Sequence, residues 1–186
     1  AGPDASKRLE QTWYEGQTLA AAIGQDNNQF TPLQLANYIA TLVNGGTHYS
    51  AHLLKSVKSY DYSEVLYERE PEVLDTIEIA PENLNAVLEG MRLVAAEGGT
   101  TYRFFKDLPV TVGAKTGSAQ VSSTTESNAV FVCFAPYEDP EIALAVVVEK
   151  GGSGMELAAI AADVLEYYFS TGTGLEAAAK ENTLLR

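Results

Sequence analysis

VGAKTGSAQ at Val112–Gln120, AVFVCFAP at Ala129–Pro136 and IALAVVV at Ile142–Val148 are three extended runs joined by polar or proline-bearing connections. Behind them Gly151, Gly152 and Gly154 open a segment in which Leu157, Ile160, Ala161, Val164 and Tyr168 share one helical face. Three strands and a helix with short connections imply an antiparallel sheet flanked by helices, the α+β class. Ala129–Phe134 is apolar at every position, so both faces of that strand should be covered.

Working upstream, Thr31, Pro32 and Gln34 supply an N-cap, a first-turn proline and the third-position glutamine of a capping box. Leu35, Tyr38, Ile39 and Leu42 then fall on one face before Asn44, Gly45 and Gly46 stop the helix. A second helix begins at Pro81, with Leu84, Val87, Leu88, Met91, Val94 and Ala95 as its apolar stripe and Gly98 and Gly99 as its end. Between the two, His52–Tyr60 and Val65–Glu68 flank the polar turn Asp61–Glu64 and predict a surface ribbon. Trp13–Asn28 shows no clear period.

A chain of 186 residues with 46% apolar content supports one ordinary core. No linker divides residues 1–169, and residues 170–186 read as a tail, either a short helix or flexible. Twelve basic residues against 25 acidic ones, a net charge of −13, argue against a nucleic-acid surface and a polybasic membrane patch. No apolar run approaches the roughly 20 residues of a membrane span. The single cysteine, Cys133, lies inside an apolar run and reads as a small buried hydrophobe.

Lys115, Thr116, Gly117 and Ser118 place a cation, two hydroxyls and a residue without a side chain in four consecutive positions. That is the chemistry of a site for an anionic acyl donor. Thr116 and Ser118, two apart, should project from one side of the strand, and a Cβ at Gly117 would obstruct a peptide lying along it. An edge strand with free main-chain groups can pair with such a peptide. Lys-Thr-Gly alone recurs by chance and equally describes an edge strand with a solvated lysine.

The flanks separate the two. GMRLVAAEGGTTY at Gly90–Tyr102 precedes the Lys-Thr-Gly strand and AVFVCFAP follows it, while AIGQ at Ala22–Gln25 and TPLQLANYIATLVNGGT at Thr31–Thr47 lie upstream. In this order and spacing, from about Trp13 to Phe169, the chain resembles the second half of the transpeptidase domain of a class B penicillin-binding protein.

The resemblance implies a serine D,D-transpeptidase that cross-links peptidoglycan stem peptides, is acylated by β-lactams, works with cell-wall synthesis proteins and needs no cofactor. It implies an extracytoplasmic domain held by an N-terminal membrane anchor outside this chain. It also implies roles: Lys115 for charge and proton relay, Thr116 and Ser118 for the substrate carboxylate, the Ser118 N–H for the oxyanion hole, and main chain near Gln120 for pairing with substrate. The family's fourth position is more often threonine, and Ser118 keeps both the hydroxyl and the N–H.

Of the superfamily's motifs Ser-x-x-Lys, Ser-x-Asn and Lys-Thr-Gly, only the third occurs here. The nucleophile is thus expected on a preceding segment and the isolated chain is expected to be inert. Two alternatives stay open: a non-catalytic scaffold of a cell-wall assembly, and a β-lactam-hydrolysing or β-lactam-sensing relative, although relatives of that kind lack the TPLQLA and EGGTTY blocks. The blocks do not separate elongation, division and sporulation.

His48 and His52 have i, i+4 spacing but no carboxylate in register, so no metal site is expected. Gly151–Gly154 lacks the Lys-Ser/Thr pair of a phosphate loop, so no nucleotide is expected; by family position it borders the cleft. By the same resemblance Ile142–Val148 would adjoin a strand absent from this chain. As a bare edge without a guarding charge or proline, it should associate with a second copy, a retained N-terminal piece or a rearranged segment such as the tail.

Overall fold

The computed structural model describes residues 3–8, 10–25, 28–121 and 124–170. It opens with α1 (Pro3–Arg8) and α2 (Glu15–Ala22). α2 occupies the stretch in which the sequence shows no period, and the reason is physical: none of its residues is buried, so there is no apolar stripe to read. Its first turn is held by Tyr14 N–H donating to Gln17 Oε1 at 2.9 Å.

α3 (Pro32–Val43) starts as its capping residues predict. Gln34 N–H donates to Thr31 Oγ1 at 3.2 Å, and Thr31 N–H donates to Gln34 Oε1 at 2.9 Å. Ile39 and Leu42 are buried; Tyr38, expected on the same face, is 60% exposed. Beyond the helix Asn44 bonds both main-chain groups of Thr47, accepting from its N–H at 2.9 Å and donating to its carbonyl at 2.7 Å.

Four short strands follow: β1 (Thr47–Tyr49), β2 (Ser56–Lys58), β3 (Val65–Glu68) and β4 (Val73–Thr76). β2 and β3 form the expected antiparallel ribbon, though its first arm is three residues long rather than the nine of 52–60. Asp61 ties its turn by accepting from Ser59 Oγ at 2.6 Å and from Ser63 Oγ at 2.8 Å. The β1–β4 ladder, which pairs Thr47 with Thr76, has no counterpart in the sequence pattern because β4 is exposed throughout and carries no alternation of burial.

The remaining elements are α4 (Pro81–Ala95), α5 (Tyr102–Phe105), β5 (Gly113–Ala119), β6 (Asn128–Ala135), β7 (Ile142–Val148) and α6 (Leu157–Ser170). The last three strands make one antiparallel sheet in the order β5-β6-β7, with Ser118 opposite Ala129 and Ala129 opposite Val148. The predicted tail lies outside the described residues from 171 onward.

Both faces of β6 are covered, as its unbroken apolar run requires. On one, Ala114, Ala129, Phe131, Cys133 and Ala135 pack with Phe105 and with Leu157, Ala158, Ala161 and Leu165 of α6. On the other, Phe134 packs with Ile39 and Leu42 of α3 and Met91 of α4. α6 keeps Leu157 and Ala161 of its expected face buried but departs from the rest: Ile160 and Val164 are 47% and 40% exposed, while Ala158 and Leu165 are fully buried. Alanine opposite alanine lets helix and sheet approach closely, so small residues rather than branched ones face the strands. Val87 of α4 is also half exposed.

No helix among the described residues is long and apolar enough to cross a membrane.

Candidate active site

All seven residues of β5 pair with β6, and among the described residues β5 has no neighbour on its other side. Strand alternation then sorts the Lys-Thr-Gly residues. Ala114 is buried on the α6 face, so Thr116 and Ser118 project toward that face, and Lys115, Gly117 and Ala119 toward the other. The two hydroxyls share a side as expected; the cation does not share it. Lys115 is exposed, and its ammonium donates to the Thr116 carbonyl at 2.7 Å. Gln120 is exposed one residue beyond the strand.

A lysine and a serine on opposite faces still flank the same open edge. A peptide paired there would have the ammonium on one side of its backbone and the hydroxyls on the other. Nothing inside the fold demands that Gly117 be bare: a Cβ there would meet the Val130 Cβ at 3.4 Å, an ordinary contact. That Cβ would project on the Lys115 face, beside Val130.

A demanding glycine lies elsewhere. A Cβ on Gly154 would come within 3.0 Å of the Gly117 carbonyl, the Gly117 nitrogen and the Val130 carbonyl. Its N–H donates to Ser118 Oγ over a long 3.4 Å. The segment leading to it is pinned to the start of β6, where Gly152 N–H donates to the Ser127 carbonyl at 2.8 Å and Lys150 N–H donates to Asn128 Oδ1 at 3.0 Å. The sequence placed Gly151–Gly154 at the cleft border by family position and assigned it no task. Its signal was three glycines in four residues immediately before a helix, a pattern that reads as close backbone approach.

At the other end of β5, Tyr137 N–H donates to the Thr111 carbonyl at 2.9 Å, and the Thr111 hydroxyl donates to Glu138. That hydroxyl is the main cause holding the Glu138 carboxyl below its ordinary range. Glu89 is lowered likewise, chiefly by its bonds from Arg92 at 2.6 and 2.8 Å, and Arg92 is raised in return. Beside this cluster a cleft of about 280 Å³ is lined by Arg92, Tyr102, Lys106 and the approach to β5. The EGGTTY block is a joint: Thr101 is fully buried and both its N–H and its hydroxyl donate to the Val94 carbonyl, at 3.0 and 2.9 Å.

Cys133 is fully buried and desolvation pushes its thiol up to about 12, which leaves it without thiolate chemistry at neutral pH. Among the described residues no group of three or more His, Cys, Asp or Glu side chains is placed to hold a metal ion.

Lys-Thr-Gly is among the motifs of class A β-lactamases and penicillin-binding proteins, and here it lies on the open edge strand of an antiparallel sheet covered by helices. Residues 2–166 match the penicillin binding protein transpeptidase domain, and the chain belongs to that family. The peptidoglycan D,D-transpeptidase MrdA of Haemophilus influenzae is 32% identical over 184 residues, covering 88% of this chain and 27% of that protein. Among solved structures, Pseudomonas aeruginosa PBP2 in complex with WCK 5153 superposes with a TM-score of 0.69 at 34% identity, over 88% of this chain and 36% of its own. The complex of Helicobacter pylori PBP2 with MreC gives 0.67 at 27% identity, over 90% of this chain and 29% of the matched one. The chain therefore spans about a third or less of the length of these relatives.

Proposed function

We propose that this chain is the part of a serine D,D-transpeptidase that grips the acyl donor, while a serine on another segment attacks it. The observation that carries this reading is the open edge of β5, flanked by Lys115 on one face and by Thr116 and Ser118 on the other, in a chain of the transpeptidase family. The serine oxygen bonds to the penultimate carbonyl of a D-Ala-D-Ala stem, the peptide C–N bond breaks, and D-alanine leaves with a proton on its amine. An amine of a neighbouring stem then takes the acyl group and frees the serine.

In this reading the Lys115 ammonium supplies a fixed positive field for the terminal carboxylate and its proton network. Thr116 and Ser118 donate their hydroxyl hydrogens to that carboxylate. The Ser118 N–H stabilises the oxyanion, and the main chain near Gln120 pairs with the donor peptide. A β-lactam mimics the same donor. The site sits outside the cytoplasm on an anchored parent, among cell-wall synthesis proteins; a PBP2 relative has been solved with MreC.

The test uses the intact polypeptide, numbered as here. Lys115→Ala should slow acylation by a fluorescent penicillin about 10² to 10³-fold, the usual loss for an electrostatic group at such a site, with an unchanged melting curve. Normal acylation of the folded variant returns Lys115 to a solvated strand residue. The isolated 186-residue chain should take no label, and stoichiometric label on one of its own serines would overturn the division of labour.

A second proposal concerns β7. On the side away from β6 it has no partner among the described residues, and its seven apolar side chains include no guarding charge. This edge takes another strand, from a second copy or another segment. Light scattering of the isolated chain should show a concentration-dependent dimer that Val147→Lys weakens; a monomer at every concentration, with edge amides exchanging freely, contradicts it.

A further inference from the structure

We propose that Gly154 is a positioning residue for the β5 site, holding the Gly117–Ser118 main chain at the height from which it meets the acyl donor. The inference rests on the acyl-transfer reading above and extends it to a residue outside the Lys-Thr-Gly strand.

Three observations converge. The first is steric: any side chain at 154 collides with main-chain atoms of Gly117 and Val130, and main chain cannot swing aside as a flexible side chain does. The collision lifts either β5 or the start of α6. The second is the hydrogen bond from Gly154 N–H to Ser118 Oγ. Accepting there leaves the Ser118 hydroxyl hydrogen to point elsewhere, which is what donation to a carboxylate needs. The third is anchorage: Gly152 and Lys150 fasten the same segment to Ser127 and Asn128. Ser118 pairs with Ala129, the neighbour of Asn128, so one short segment holds both strands at the level of the site.

The chemistry makes the height matter. An oxyanion donor works only within hydrogen-bond range of the atom that becomes charged, and a misplacement of about 1 Å can cost on the order of a hundredfold in rate. Such a displacement acts on the covalent step more than on initial capture.

The experiment measures acylation of the intact polypeptide by a penicillin, split into pre-covalent affinity and covalent rate constant, beside thermal melting. Gly154→Ala should lower the covalent rate constant about a hundredfold and change the pre-covalent affinity less than threefold. Gly90→Ala, on an open helix surface, should match the wild type. Ser118→Ala should lose less than Gly154→Ala, and the double variant should fall short of the product of the two losses because both act through one contact. Ser118→Thr, which keeps the acceptor, should restore the rate lost in Ser118→Ala.

A folded Gly154→Ala variant that acylates within twofold of wild type overturns the positioning role while leaving the acyl-transfer reading intact. A wild type that is never acylated overturns both. If Gly154→Ala does not fold, Ser118→Ala decides through the amide proton of Gly154. An upfield shift with faster exchange supports the contact, and an unmoved resonance overturns it.

Discussion

The three-stranded sheet and the two ribbons of residues 47–76 are built from similar residues and treated oppositely by water. β6 carries Ala129, Phe131, Cys133, Phe134 and Ala135 at zero exposure, whereas every residue of β3 and β4 is exposed. Val and Leu occur in the ribbons as they do in the sheet: Val65 and Leu66 are 55% and 63% exposed. Propensity for extended structure is therefore common to both regions, and what separates them is whether helices come to cover the strand. Two-stranded ribbons with neither face packed are marginal in water, so residues 47–76 owe their shape to turn bonds and to attachment beside α3.

That difference sets the largest expected effect. Phe131→Ala removes a ring stacked on Phe105 at 6.1 Å in a site of zero exposure, and should cost about 3 to 5 kcal/mol by the usual range for buried phenylalanine. Leu66→Ala in β3 should stay within roughly 0.5 kcal/mol. Urea melts of the two variants settle the contrast. A loss above about 2 kcal/mol in Leu66→Ala would mean that the ribbon is packed against something and belongs to the core.

The same contrast explains what could be read from the letters. β6 was legible because burial on two faces leaves an unbroken apolar run, and α3 because Thr31, Pro32 and Gln34 state its start in side-chain chemistry. α2 and the β1–β4 pair were not, because elements that bury nothing carry no period. The face of α6 is legible only in part, with Leu157 and Ala161 buried as expected and Ile160 and Val164 not. Ile160 and Val164 outrank Ala158 in hydrophobicity, yet close approach of the helix to Ala129 and Cys133 favours the small residue.

Of the site, Lys115, Thr116, Gly117 and Ser118 came from the motif and its flanks. That lysine and hydroxyls occupy opposite faces follows from alternation once the buried face is known. Gly154 carries a local signal of close backbone approach in its glycine run, but the main chain it approaches lies on a strand 36 residues away in sequence, and the run does not say which strand that is.

The smallest effect lies at the ribbon's tip. Ser59 and Ser63 hydroxyls donate to Asp61 and hold its carboxyl down to about 2. A depressed acid stabilises the fold above its ordinary value of 3.8, and the contribution disappears as pH falls through about 2. Asp61 is fully exposed, so only the turn should respond, while the methyl and ring signals around Phe131 stay fixed across that window. Replacing both serines, Ser59→Ala with Ser63→Ala, removes the donors, and the Asp61 carboxyl titration followed by NMR should move up toward 3.8. The amides of Ser63 and Glu64, which bond Asp61 Oδ1 and Ser59 Oγ at 3.2 and 3.0 Å, should exchange faster in the same variant. If the titration does not move, the turn is held by its main chain and not by these side chains. The ribbon would then owe its shape to the body it hangs from.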